Sequence, residues 1–280
     1  MESYDVHRIT DLLCFNYLNI AEINNYICTS KKNHEFFKNS ECIKIILNVL
    51  CNKSYIDNND LFYRIGGIKY IISCINNNFQ NKKILTKSFW CITNIIFKND
   101  INKIIVYSYG INDILVKALK LNDDNFLVSA ILKLFSNLVI RSNEVIYDIM
   151  HNNNKILCIV QKIIKSENID CFHNGLRFIQ NITCDKSDRS KNDIREYFSN
   201  IMVNKKNIID LLFDLLQKFY SNRKIIINNF VRALLNLIQN IKIRDMAKKD
   251  NYINILNNWY SEVDKRILKI KIKSCLLEII

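Results

Sequence analysis

An apolar segment with helical periodicity and an asparagine near its end recurs along most of this chain. The asparagines follow one another at intervals of 46, 43, 44 and 55 residues, at Asn48, Asn94, Asn137, Asn181 and Asn236. Around them the apolar residues recur with the period of an amphipathic helix, and the alternation typical of strands is scarce. A period of this length is typical of helical repeat proteins, whose units bury their apolar faces only against their neighbours. The recurrence therefore predicts an all-α solenoid.

The near absence of turn-forming residues supports this class of fold. The 280 residues include no proline and four glycines. Tight turns and phosphate-binding loops depend on those two residue types, so many-stranded sandwiches, dinucleotide-binding domains and Walker-type domains are poor candidates. The chain also holds 41 asparagines. We interpret this excess as coding drift, so a single asparagine outside the repeat carries little weight.

Each period has room for three helices. Short helices are predicted at Asn59–Ile65, Asn99–Ser108, Asn143–His151, Asn192–Met202 and Ile243–Lys249. Longer second helices are predicted at Ile68–Asn76, Asn112–Lys120, Ile156–Lys165, Asn207–Tyr220 and Tyr252–Glu262. Gly67 and Gly110 are 43 residues apart and fall in the joint between a short and a second helix. A left-handed glycine commonly ends a helix at such a joint.

Three helices in 43 or 44 residues, with an asparagine late in the third, resemble the armadillo repeat, most sharply from Trp90 to Asn94. The resemblance covers roughly residues 40–260 and implies a right-handed α-α superhelix. We expect residues 1–39 to form an N-terminal helical cap or degenerate repeat, and residues 261–280 a C-terminal capping helix. A charged loop insertion is expected near residues 185–193, within one continuous domain. The chain lacks the proline that often starts the second helix, and Cys275 stands where the last asparagine is expected.

The resemblance also implies a binding surface. In armadillo proteins the third helices line a concave groove, where asparagine side chains grip the main chain of an extended peptide. A carboxamide suits this task because it offers a donor and an acceptor. Residues four positions apart share a helix face, so the residue four before each asparagine also faces the groove. Those residues are Lys44, Trp90, Lys133, Arg177 and Arg232.

The residues at this second position indicate which ligand the groove prefers. In the importin-α-like branch of the family the position is repeatedly tryptophan, which flanks basic side chains. Here only Trp90 keeps that character, either as a groove platform or as a core residue. The cations at the other positions, and a net charge of +13 that arises from residues 64–250, favour an acidic ligand such as the acidic tails bound by the β-catenin-like branch.

The sequence therefore predicts a non-enzymatic scaffold that binds a protein partner through an extended acidic or phosphorylated segment. The predicted partner-binding residues are Asn48, Trp90, Asn94, Lys133, Asn137, Arg177, Asn181, Arg232 and Asn236. Two alternatives stay open at this point. The cations could belong to an ordinary solvated face, or the basic repeats could bind nucleic acid such as RNA.

No motif for catalysis or metal binding is visible. The four histidines lie far apart, no Cys-x-x-Cys pair occurs, and no nucleophile elbow or Walker lysine is present. We expect no cofactor and no metal, and we expect the ten cysteines to be free thiols. No apolar run approaches the length of a membrane helix, and no signal peptide is visible. We expect a monomer located in the cytoplasm or the nucleus.

Overall fold

The structure is a computed structural model that describes residue 47 and residues 67–140, 142–151, 153–165, 168–184, 208–219, 224–248, 250–262 and 266–280. These residues contain thirteen helices and no strand. The helices are α1 Gly67–Asn77, α2 Lys82–Ile95, α3 Asp100–Ser108, α4 Ile111–Leu121, α5 Asn125–Leu138, α6 Asn143–His151, α7 Asn153–Lys165, α8 Ile169–Thr183, α9 Ile208–Phe219, α10 Lys224–Leu237, α11 Ile241–Ala247, α12 Asp250–Glu262 and α13 Arg266–Ile279.

Several predictions fall on residues outside the described ranges. They concern the N-terminal segment 1–39, the charged insertion near 185–193, the short helices at 59–65 and 192–202, and the groove residues Lys44 and Asn48.

The helices follow the predicted order of a short, a second and a third helix. Complete sets are formed by α3 to α5, by α6 to α8 and by α11 to α13, and the predicted bounds of their short and second helices agree with the observed ones to within three residues. The short helix predicted at Asn143–His151, for example, is α6. Hydrophobic periodicity was sufficient here because every helix has one face that must be buried.

Asparagine side chains begin several of the helices. Asn81 precedes α2, Asn99 precedes α3 and Asn168 precedes α8, each with an extended backbone. The Asn99 Oδ1 accepts a hydrogen bond from the Asn102 backbone N–H at 2.9 Å. Such caps satisfy backbone donors that the first turn of a helix leaves without partners. Asparagine therefore marks the starts of helices at these joints, where other chains often have proline or glycine.

Asparagine also closes the ends of two second helices. The Asn78 Nδ2 donates to the Cys74 carbonyl oxygen at 3.0 Å, at the end of α1. The Asn122 Nδ2 donates to the Ala118 carbonyl oxygen, also at 3.0 Å, at the end of α4. The two asparagines are 44 residues apart, so they form a second periodic set that the sequence analysis treated as drift.

The joint glycines behave differently from one another. Gly110 has φ 73° and ψ 28°, in the left-handed region between α3 and α4, as predicted. The same prediction is wrong for Gly67, which is the buried first residue of α1 and so belongs to that helix. The start of α4 lies 44 residues after the start of α1, so the position equivalent to Gly110 is 66 and not 67.

The chain divides into two compact units, residues 1–137 and residues 138–280. In the first unit α1 packs against α2 and α3 against α4, over a core that includes the fully buried Phe89 and Phe135. In the second unit α10 contacts both α8 and α13, and α12 packs against α13. The third helices α8, α10 and α13 thus pack in a row through the second unit.

Most of the described cysteines form no disulfide bond. They are Cys74, Cys158, Cys171, Cys184 and Cys275. Cys91 is disulfide-bonded, so the expectation of free thiols is wrong at this position. Its sulfur also lies 3.1 Å from the Leu47 carbonyl oxygen, in the interior of the first unit.

Candidate functional site

Counted from the first residue of each third helix, the predicted groove residues occupy two fixed positions. Eight residues into the helix stand Trp90, Lys133, Arg177 and Arg232, and twelve residues into the helix stand Asn94, Asn137, Asn181 and Asn236. We call these position 8 and position 12, and we call the side of the third helices that carries them the ladder face. The two positions share one side of each helix because they are four residues apart.

The register corrects one prediction at the last helix. In α13 position 8 is Ser274 and position 12 is Glu278, so Cys275 is not at the asparagine position. Cys275 is buried, and its thiol lies 3.7 Å from the Val231 carbonyl oxygen of α10. The prediction failed because it counted from the previous asparagine, whereas the start of α13, 42 residues after that of α10, fixes the position.

The side chains at position 8 are accessible. Trp90 is 44% exposed, so it is not a core residue. Lys133 and Arg177 are half-buried, and Arg232 is exposed. The asparagines at position 12 lie deeper: Asn94, Asn181 and Asn236 are half-buried, and Asn137 is only 4% exposed.

In the first unit, the carboxamide of Asn137 is the most unusual polar group on the ladder face. Its Oδ1 is buried and accepts no hydrogen bond from any described residue. A buried acceptor without a partner costs about 1–3 kcal/mol. Such an atom is a natural acceptor for a donor that comes from outside the chain, provided that the side chain can turn towards it.

In the second unit, Asn236 joins two third helices. Its Nδ2 donates to the Gln180 carbonyl oxygen at 3.2 Å and to the Thr183 Oγ1 at 3.3 Å, both in α8. The two N–H donors of the carboxamide are therefore directed at the neighbouring helix. Its oxygen remains to accept a hydrogen bond, so Asn236 can offer an acceptor to a ligand but not a donor.

The ladder face of the second unit carries two arginines, Arg177 and Arg232. Neither forms a hydrogen bond or ion pair with a residue in the described ranges. Burial lowers the pKa of Arg177. Burial also lowers the pKa of Lys271 in α13, and the nearby charge of Arg232 lowers it further. An anion placed among these three cations would be stabilised by all of them.

Two further hydrogen bonds tie the third helices together beside these cations. The His173 Nδ1 lies 3.4 Å from the Asn229 Nδ2, which links α8 to α10. The Lys271 Nζ donates to the Asn228 Oδ1 at 3.3 Å, which links α10 to α13. Lys271 was not predicted from the sequence, although its place three residues before position 8 of α13 is a signal that could have indicated it.

Within the described ranges, no group of three or more His, Cys, Asp or Glu side chains is arranged to hold a metal ion. None of the helices described there has the length and apolar character needed to cross a bilayer.

Solved structures of engineered armadillo proteins share this fold. A designed armadillo repeat protein matches with a TM-score of 0.70 and 13% identity, over 94% of this chain and 100% of that chain. An engineered protein matches with a TM-score of 0.70 and 14% identity, over 94% of this chain and 99% of that chain. A third structure is a designed armadillo repeat protein in complex with the peptide (KR)4, with a TM-score of 0.67 and 13% identity over 94% of this chain and 100% of that chain.

These likenesses confirm the predicted fold class. The chain is an all-α solenoid of the armadillo type, with three helices in each repeat. No family model matches the sequence, and no curated protein matches it. At 12–14% identity the likeness concerns the fold alone.

Proposed function

We propose that this chain is a non-enzymatic protein-binding scaffold that holds an extended acidic segment of a partner along the ladder face. Position 8 supplies cations for the acidic side chains, and position 12 supplies carboxamide oxygens for the N–H groups of the partner's main chain. Trp90 supplies a flat apolar surface for a partner side chain in the first unit.

The observation that carries the proposal is the pair of arginines in the second unit. Arg177 and Arg232 stand at the same position of neighbouring helices, and neither has an acidic partner among the described residues. Arg177 is also half-buried, where a cation without a counter-charge is costly. A carboxylate or phosphate from a partner would remove that cost through charge-assisted hydrogen bonds.

The solved complex of a similar fold supports the mode of binding. A designed armadillo repeat protein is in complex with (KR)4, a peptide made of lysine and arginine. The cations on the ladder face of the present chain would repel such a peptide. We therefore expect the same general mode with a ligand of opposite charge.

Two peptides of opposite charge test the proposal directly. Fluorescein-labelled (DE)4 should bind the full chain more tightly than labelled (KR)4, as measured by fluorescence anisotropy. The affinity for (DE)4 should fall roughly tenfold between about 0.05 and 0.2 M salt, because the contacts are largely electrostatic. The R177Q/R232Q variant should bind (DE)4 roughly tenfold more weakly and with a flatter salt dependence.

A variant with the same net charge serves as the control. Lys120 and Lys165 are exposed cations near the ends of second helices and are not on the ladder face. K120Q/K165Q should bind (DE)4 almost as well as the unmodified chain. Equal losses in the two variants would show that only net charge matters, and the ladder face would not be the binding site.

Nucleic acid is the alternative that the net charge of +13 favours. A gel-shift with mixed RNA and duplex DNA at about 0.15 M salt distinguishes the two functions. Binding of nucleic acid that depends on Arg177 and Arg232, together with no binding of (DE)4, would replace the proposal by this alternative.

A further inference from the structure

The last third helix has a ladder face unlike those of its neighbours. Ile267, Ile270 and Leu277 of α13 are 71%, 56% and 71% exposed. They are three and seven residues apart, so they form one stripe along the helix. The opposite side of α13 is buried through Leu268, Ile272, Cys275, Leu276 and Ile279.

This apolar stripe runs from the ladder face of α13 to the side of that helix that points away from α10. Ile270 and Leu277 stand four and eleven residues into α13, and at these positions α8 and α10 face the next third helix. Ser274, at position 8, stands between Ile270 and Leu277, and Glu278, at position 12, follows Leu277 directly. At these two positions α8 and α10 carry Arg177, Asn181, Arg232 and Asn236. The surface therefore changes along the second unit, from cations and carboxamides on α8 and α10 to aliphatic side chains at the edge of α13 that is farther from α10.

Direct contacts fix how α13 lies beside α10. The Lys271 Nζ donates to the Asn228 Oδ1 at 3.3 Å, and the Cys275 thiol lies 3.7 Å from the Val231 carbonyl oxygen. Arg232 is close enough to Lys271 to lower the pKa of that lysine. Only the width of α13 thus separates the cation on α10 from the far edge of the aliphatic stripe.

We propose that the stripe of Ile267, Ile270 and Leu277 binds bulky apolar side chains at one end of the same acidic segment whose carboxylates or phosphates meet Arg177 and Arg232. This inference rests on the proposed function and names the sequence signature of the partner. Exposed apolar patches of this kind, bordered by charged residues, are typical of protein-binding surfaces. The cations beside the stripe select a partner segment that is acidic next to its apolar end.

Helix packing gives the spacing of that signature. Neighbouring packed helices lie about 8–10 Å apart, and an extended chain advances about 3.3 Å per residue. One helix of the ladder face therefore corresponds to about three residues of the partner. The expected segment has two acidic or phosphorylated residues about three positions apart, followed or preceded at a similar distance by a bulky apolar residue.

A second copy of the chain fits the stripe less well. Arg266 and Lys273 are exposed on α13 beside the stripe, and the chain carries a net charge of +13. Two copies that met at this surface would bring like charges together without a counter-charge. A flat lipid surface would cover the stripe but would not reach the half-buried Arg177.

A display library of random dodecapeptides, selected on the full chain, tests the inference. The unmodified chain should enrich peptides with acidic residues in steps of about three and Leu, Ile, Met, Phe or Trp beyond one end. The I270S/L277S variant should still enrich acidic peptides but lose the apolar preference. A peptide selected on the unmodified chain should bind this variant roughly tenfold more weakly, a loss of about 1.4 kcal/mol.

The control is L121S, because Leu121 of α4 is exposed to a similar degree, 60%, and lies away from the ladder face. L121S should give the same enriched peptides as the unmodified chain. Circular dichroism melting curves should match for all of these variants, since every substituted side chain is exposed.

The outcomes separate the inference from the proposed function. Enrichment of acidic peptides with no apolar preference, or with one that survives in I270S/L277S, overturns the inference alone. No acidic enrichment at all overturns both. Flotation with phosphatidylcholine–phosphatidylserine vesicles that is lost in I270S/L277S would assign the stripe to a membrane, and self-association by light scattering that is lost in the same variant would assign it to a second copy. Either result overturns the inference.

Discussion

At the scale of single residues, the asparagine at position 12 makes different contacts in the two units. The Oδ1 of Asn137 is buried and receives no hydrogen bond from the described residues, whereas the Nδ2 of Asn236 links α10 to two acceptors in α8. Both stand at position 12. The repeat therefore preserves where an asparagine lies without preserving what it contacts.

We expect this contrast to appear in the stability of matched variants. Asn137→Leu should raise the free energy of unfolding by about 1 kcal/mol, because an acceptor without a partner is replaced by an apolar group of similar shape. Asn236→Leu should lower it by about 1–2 kcal/mol, because two hydrogen bonds between helices are lost. Urea titrations followed by circular dichroism measure both values. A decrease of similar size in both variants would mean that Asn137 has a partner after all.

The sequence predicted the places of these asparagines but not their contacts. Periodicity requires only that each residue recur at the same angle around its helix. Which atoms the carboxamides of Asn137 and Asn236 reach depends on the distance between neighbouring helices. That distance follows from packing of the whole core, which a local pattern does not contain.

At the scale of helices, Gly175 leaves no room for a side chain between α7 and α8. A Cβ atom on Gly175 of α8 would lie 2.6 and 2.7 Å from the Cγ1 and Cγ2 atoms of Ile163 in α7. Glycine costs about 1 kcal/mol relative to alanine inside a helix. Its presence here is explained by the position of Ile163.

A double-mutant cycle tests this explanation. Gly175→Ala should lower the free energy of unfolding by about 1–2 kcal/mol, since the overlap with Ile163 outweighs the gain in helix propensity. Ile163→Ala alone should cost about 2–5 kcal/mol, and it should cost less when combined with Gly175→Ala, because the new methyl group fills part of the cavity. Urea unfolding gives the coupling between the two sites.

The matched control for the cycle is Ile163→Val. Valine keeps both of the γ carbons that would meet the new Cβ atom, so it should not rescue Gly175→Ala. Full rescue by valine, or simple additivity of the two alanine variants, would place the strain elsewhere.

At this scale the sequence was most informative about helices and least informative about their joints. Every complete set of helices was predicted from apolar periodicity, for example α6 at Asn143–His151. The joints were harder because Asn81, Asn99 and Asn168 cap helices in a chain where asparagine is common everywhere. A residue type that is frequent for other reasons carries little positional information, even where it acts as a cap.

At the scale of the whole molecule, the division into two units gives each one its own tryptophan. Trp90 lies in the first unit and Trp259 in the second, where it is buried and its ring meets Phe230 edge-on at 5.9 Å. Each ring can therefore report the unfolding of its own unit. In repeat proteins, stability is approximately a sum of local terms and nearest-neighbour terms.

We expect a substitution near the C-terminus to act mainly on the second unit. Ile272→Ala removes a fully buried side chain of α13 and should cost about 2–5 kcal/mol. When Ile272→Ala is introduced into W90F, where the remaining Trp259 reports on the second unit, the urea midpoint should shift strongly. When it is introduced into W259F, where the remaining Trp90 reports on the first unit, the midpoint should shift much less. Equal shifts would mean that the chain unfolds as one cooperative body.

The fold class of the whole molecule was predictable from the sequence, but the surface that we propose for a ligand was only partly so. The period and the three helices per repeat lead to the armadillo type of solenoid, which the solved structures share. The apolar stripe on α13 was not foreseen, because Ile267, Ile270 and Leu277 resemble core residues in the sequence. Their exposure depends on which side of α13 packs against α10, and that becomes visible only in three dimensions.

Under the proposed function, the hydrogen bonds of Asn236 would link the binding of a peptide to the stiffness of the contact between α8 and α10. One carboxamide holds α8 against α10 through its nitrogen, and its oxygen remains to accept a hydrogen bond from a ligand. A peptide N–H donated to that oxygen would polarise the amide and strengthen the hydrogen bonds on its other side. A bound peptide would then make the contact between α8 and α10 stiffer. A force that separates these helices and the residence time of the peptide would therefore depend on each other.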